Sequence, residues 1–111
     1  MKAYGLTLNL QDDPQTIEKY KQYHRRVWPE VEQGLKTVGI KAMKIFLLGR
    51  RMFMYVQTVD DFDPDRDFPK YLEHHPRCRQ WDELMCTFQE KVSDAGPDEW
   101  WARMEQVYDL Q

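Results

Sequence analysis

The residues with chemistry to offer are Tyr20 and His24, four apart in the run Tyr20 to Glu30, YKQYHRRVWPE. Positions i and i+4 of a helix share a face, so the phenol and the imidazole would be neighbours one turn apart. Histidine titrates nearest neutral pH of all side chains and can give or take a proton there. Tyrosine can orient it or bind a hydroxyl. The pair suits general acid–base work on a small polar molecule such as a sugar. Trp28 stands one turn beyond and adds an indole wall for stacking. No nucleophile accompanies them. The plain alternative is a core histidine on an apolar stripe, with its hydrogen bonds met inside the protein. Spacing alone leaves the two readings level.

Other clusters carry less. Trp81 and Asp82 open a second helical stretch, and Trp81 lies on its apolar stripe. If both helices end on one edge of a sheet, an indole face and a carboxylate there suit a sugar's C–H surface and hydroxyls. Asp61, Asp63 and Asp65 mimic the first positions of a calcium loop. Arg66 stands at the sixth position and Leu72 at the twelfth, where that loop needs Gly and Glu, so a solvated loop is expected. His74 and His75 are adjacent and point apart on either a strand or a helix, so no metal is expected. The strand RRMFMYVQ lacks the glycines of RNA-recognition strands.

These residues need elements to position them. Residues 2–10 alternate, with Tyr4, Leu6, Leu8 and Leu10 on one face, and predict a half-buried strand. Asp12 or Asp13 can cap a helix entered through Pro14. Ile17, Tyr20, His24, Val27, Val31 and Leu35 then mark an amphipathic helix to about residue 38, kinked or restarted at Pro29 and closed by Gly39. Residues 40–48 and 52–59 read as a hairpin around Gly49. Asp60 to Pro69 reads as a loop. A second helix from Pro76 carries Cys78, Trp81, Met85, Phe88 and Val92. A loop covers 93–98, and a last strand holds Met104, Gln106, Tyr108 and Leu110. The order βαββαβ predicts an α+β, ferredoxin-like single domain over residues 1–111. Both helices on one sheet face leave the other bare and apolar, and a second copy of the chain is the simplest cover, giving a homodimer.

Composition sets bounds. With 16 basic and 19 acidic residues the formal net charge is −3, which excludes the basic footprint of nucleic-acid binding. No apolar run approaches the ~20 residues of a membrane span, and MKAYGLTLNL does not read as a signal peptide. Aromatic residues make up 14% of the chain, more than a small core can hide, so some should line a pocket. Cys78 and Cys86, eight apart on one helix, would lie roughly 12 Å from each other, beyond the reach of about 7 Å that a disulfide allows. Free thiols point to a reducing, cytoplasmic setting.

The pattern Y-x-x-x-H-x-x-x-W-P-E, formed by Tyr20, His24, Trp28, Pro29 and Glu30, resembles the L-rhamnose mutarotase family. So do His75-Pro76-x-Cys78-x-x-Trp81 and the ending Val107-Tyr108-x-Leu110, and the resemblance runs from about residue 3 to residue 110. It implies a dimeric α/β barrel that interconverts the α and β anomers of L-rhamnose without a cofactor. It further implies that His24 is the proton donor and that Tyr20 contacts the sugar, with Trp28, Trp81, Asp82 and Met43 about the same site. The family commonly has a second tryptophan where this chain has Asp82, and a tyrosine where it has Met43. These exchanges point to a different or more polar sugar, or to a dimeric sugar-binding module of the same fold without catalysis. A dimeric-barrel monooxygenase acting on haem or a polycyclic substrate is a third reading.

Overall fold

The computed structural model describes residues 1–111. Its elements are β1 (Lys2–Leu10), α1 (Pro14–Arg25), α2 (Pro29–Thr37), β2 (Ile40–Leu48), β3 (Arg51–Thr58), α3 (Pro64–Leu72), α4 (Pro76–Cys86), β4 (Gln89–Glu90) and β5 (Ala102–Met104). The antiparallel sheet has the order β2-β3-β1-β4. β4 pairs with Asn9 and Leu10, while β5 pairs with Gly5 to Thr7. The fourth strand of the ferredoxin-like α+β pattern is thus divided into two short pieces along one edge of β1. No helix is long and apolar enough to cross a membrane.

Every helix begins on a proline, whose missing N–H costs nothing in a first turn. Asp13 caps α1, its carboxylate accepting from the Gln15 N–H at 3.3 Å and the Thr16 hydroxyl at 2.8 Å. Trp28 precedes Pro29 and is held extended (φ −61°, ψ 134°), because the proline ring disfavours a helical residue before it. The expected restart at Pro29 is therefore a true break between α1 and α2. Gly39, at φ 103°, turns the chain into β2, where a Cβ would lie 2.7 Å from a Val59 methyl.

Three expectations need correction. The stretch expected as a loop over residues 60–69 contains most of α3. Asp63 caps it by accepting from the Asp65 N–H at 3.0 Å, and Asp67 accepts from the Asp63 N–H at 2.9 Å while ion-pairing with Arg66 at 2.8 Å. Those carboxylates serve the helix start, and Pro69 fits in its interior. Second, α4 stops at Cys86 instead of reaching Val92, and the chain turns to form β4. Third, the last strand covers only Ala102–Met104. Residues 105–111 leave the sheet and are exposed.

The core lies between the helices and one face of the sheet. Leu8, Leu10, Tyr20, Val31, Met52, Cys78, Trp81 and Met85 share one cluster with Tyr71. Leu6, Ile40, Met54, Val56 and Phe62 form a second. The opposite face stays open, with Phe46 57% and Phe53 39% exposed and their rings stacked. Cys78 and Cys86 are both free.

Candidate active site

A cavity of about 410 Å³ opens between the helices and the β2–β3–β1 sheet, within the range of small-ligand sites. α1 contributes Tyr20 and His24, α2 contributes Val31 and Leu35, and α4 contributes Trp81. β2 contributes Met43, Ile45 and Leu47, and β3 contributes Met52. Lys21 and Glu32 supply the charges of the lining. Met43 reaches this face through a bulge between Ile40 and Ala42, which shifts the register by one residue. Without it, the alternation that buries Ile40 would send Met43, Ile45 and Leu47 to the bare face.

Tyr20 and His24 lie ring against ring, with centroids 4.3 Å apart and planes tilted by 32°. His24 Nδ1 is 2.8 Å from the Tyr20 carbonyl oxygen. A carbonyl only accepts, so Nδ1 carries the hydrogen, and in the neutral ring Nε2 holds a free lone pair. Burial holds the imidazole pKa below its ordinary value, against the opposing pull of that carbonyl. The phenol is buried as well, and burial pushes it up to about 12, although the amide of Gln89 works the other way. Gln89 Nε2 donates to the phenol oxygen at 3.1 Å, and Gln89 Oε1 accepts from the Trp100 indole N–H at 2.7 Å. Neither Gln89 nor Trp100 is evident from the sequence. Gln89 sits on a two-residue strand that has no alternation to reveal it.

Trp81 meets His24 edge to face at 5.5 Å and Trp28 at 5.1 Å. Trp28 does not line the cavity. It braces Trp81, and its own face carries the Arg77 guanidinium 4.0 Å from the ring centre. Asp82 does not line the cavity either. It follows Trp81 on α4, about 100° round the helix, and is exposed to solvent. Of the six residues singled out from sequence, the structure gathers Tyr20, His24, Met43 and Trp81 about one space. It puts Trp28 behind the wall and Asp82 outside.

The sequence profile of the L-rhamnose mutarotases matches residues 3–110. The chain belongs to the L-rhamnose mutarotase family. An L-fucose mutarotase of Xanthomonas campestris pv. campestris is 33% identical over 112 residues, covering 99% of this chain and 89% of that protein. A UPF0734 protein of Dictyostelium discoideum is 50% identical, covering 98% of this chain and 90% of its own length. A crystal structure of an L-rhamnose mutarotase from Formosa agariphila superposes with a TM-score of 0.71 at 19% identity, covering both chains fully, and so shares the fold.

The mutarotase signature in this chain has a physical reading. Pro29 starts α2 and forces the break that turns Trp28 onto Trp81. Glu30 accepts from Arg77 Nε at 3.1 Å and holds the guanidinium over Trp28. His75 caps α4, its Nδ1 accepting from the Arg77 N–H at 3.1 Å. Cys78 is fully buried and its thiol donates to the Glu30 carbonyl at 3.5 Å. The two motifs are therefore one joint between α2 and α4, and that joint fixes the indole wall beside His24.

Proposed function

We propose that this chain is a cofactor-free aldose mutarotase that interconverts the α and β anomers of a 6-deoxyhexose such as L-fucose or L-rhamnose. The observation that carries the reading is the His24 Nδ1 bond to the Tyr20 carbonyl, which leaves Nε2 as an acceptor on a residue that lines the same cavity as Tyr20. His24 Nε2 takes the proton from the anomeric hydroxyl while Tyr20 gives its proton to the ring oxygen. The C1–O bond of the ring breaks and an open-chain aldehyde forms. Rotation about C1–C2 presents the other carbonyl face. Reclosure returns the ring-oxygen proton to the phenolate and the imidazolium proton to O1, so the enzyme ends as it began. His24 is thus acceptor first and donor second.

Nine of the twelve lining residues are hydrophobic. Such a wall suits a deoxy methyl group, and Asp82, beside Trp81 on α4, does not line it. A second copy of the chain covers the Phe46 and Phe53 face, because a monomer rarely leaves such a surface open. Sedimentation equilibrium is expected to give twice the 13.5 kDa chain mass. A monomer at micromolar concentration would contradict the homodimer. The free thiols support a cytoplasmic setting.

The pH dependence tests the proton roles. A base must be unprotonated, so activity is present above the His24 pKa and is lost as pH falls through it. Burial lowers that pKa, so the pH at which anomer exchange has fallen to half its plateau should lie below the 6.5 of an ordinary imidazole. A decline already complete at pH 7, or activity rising with acidity, would contradict His24 as the initial acceptor. The enzyme-free rate at each pH supplies the baseline.

A further inference from the structure

We propose that Gln89 and Trp100 are positioning residues that fix Tyr20 as a hydrogen donor to the substrate. The inference rests on the proposed role of Tyr20 as the acid. An indole N–H donates and cannot accept, so the atom of Gln89 facing Trp100 must be the oxygen. The amide orientation is thereby decided, and the nitrogen faces Tyr20. The Gln89 N–H then occupies the phenol oxygen as a donor. The phenol cannot give its own hydrogen to Gln89, so that hydrogen stays available for the sugar.

The same bond assists the step itself. When Tyr20 passes its proton to the ring oxygen, charge develops on the phenol oxygen, and the Gln89 N–H is already aimed at it. Gln89 is buried at 6% exposure, where such a bond is screened little by water. Trp100 is 38% exposed and lies in the segment between β4 and β5. Its contribution is to forbid the alternative amide orientation, in which Oε1 would face Tyr20 and capture the phenol hydrogen.

Two substitutions separate this role from simple packing. Trp100→Phe keeps an aromatic ring and removes the donor that sets the amide. We expect kcat to fall about tenfold with KM within about twofold, the scale of one neutral hydrogen bond. Gln89→Glu places a carboxylate that only accepts, which draws the phenol hydrogen toward itself. Its kcat should fall about a hundredfold at neutral pH, reflecting a charge-assisted bond in the wrong direction. Once that carboxyl is protonated it can donate again, so the variant-to-wild-type ratio should rise as pH falls. A purely structural lesion gives a ratio flat with pH.

Anomer exchange by NMR for wild type, Trp100→Phe, Gln89→Glu and Tyr20→Phe, each checked by near-ultraviolet circular dichroism, reads these outcomes. Wild-type kcat in Trp100→Phe overturns the proposal, and this variant decides the matter alone if Gln89→Glu does not fold. A pH-independent ratio in folded Gln89→Glu also overturns it. Wild-type activity in Tyr20→Phe instead overturns the acid role of Tyr20. A loss in Tyr20→Phe with none in the other two removes the relay and leaves that role standing.

Discussion

His24→Gln is expected to lower the rate of anomer exchange by about 10²- to 10⁴-fold, the range that a positioned proton-transfer group contributes. Glutamine retains reach and polarity. Its amide neither takes a proton from the anomeric hydroxyl nor returns one. The imidazole it replaces is half-buried, tied to the Tyr20 carbonyl at 2.8 Å and boxed by Tyr20 and Trp81. Losing one such bond changes stability by only about 0.5–1.5 kcal/mol, so the variant should fold and still bind sugar. The measurement is exchange between the two anomeric proton resonances, with affinity followed separately by calorimetry. If the wild-type rate persists in the variant while affinity alone changes, the imidazole is not the catalyst; a binding module would instead show only the spontaneous rate in both proteins.

Gly34→Leu is expected to give the largest loss of stability. Gly34 lies on α2 where it crosses α3 and α4. A Cβ there would stand 3.0 Å from Cys78 Sγ, 3.1 Å from His74 Cδ2 and 3.2 Å from Tyr71 Cδ1. Tyr71 on α3 and Cys78 on α4 are buried and cannot give way without moving a helix, whereas His74, exposed between the two helices, can swing aside. Overpacking of this kind costs about 1–3 kcal/mol, and a leucine here should fall at the upper end. At roughly 4–8 °C per kcal/mol for a domain near this size, the melting temperature should fall by more than about 10 °C. Gly34→Ala should do far less. Its single methyl meets the same atoms, but alanine regains up to about 1 kcal/mol of helix propensity. Calorimetry on both variants checks this, and an unchanged melting temperature in Gly34→Leu would show that the helices do not approach so closely. Activity should fall with stability, because Val31 and Leu35 ride on the same helix.

The parts of the fold that rest on local signals were legible in the chain. Alternation in β1, the hairpin at Gly49 and the Asp13-Pro14 entry each express one short-range rule. α3 expresses the same rule, since Asp63-Pro64 repeats the Asp13-Pro14 signature. It was obscured because the acidic run resembles a solvated loop and Pro69 resembles a stop. β4 and β5 had no local signal to read. Their pairing with β1 is a tertiary fact, imposed on short segments of no particular period.

The candidate site divides the same way. Tyr20 and His24 share a face by helical geometry, which the spacing already contains. Met43 reaches the cavity only through the bulge at the start of β2, and a strict period of two would have put it elsewhere. Asp82 adjoins Trp81 in sequence, and that adjacency does not carry over to the cavity. Adjacent residues on a helix diverge by about 100°, so burying one indole sends the next side chain to water. Gln89 and Trp100 come from distant segments and meet only in the folded chain.

The most direct measurement of the central claim is selective-inversion NMR on L-fucose and L-rhamnose at anomeric equilibrium, with catalytic amounts of the wild-type protein. The account predicts α–β exchange that rises in proportion to protein concentration and returns to the spontaneous rate in His24→Gln. Exchange at the spontaneous rate for both sugars, while either one binds the wild-type protein, would contradict it.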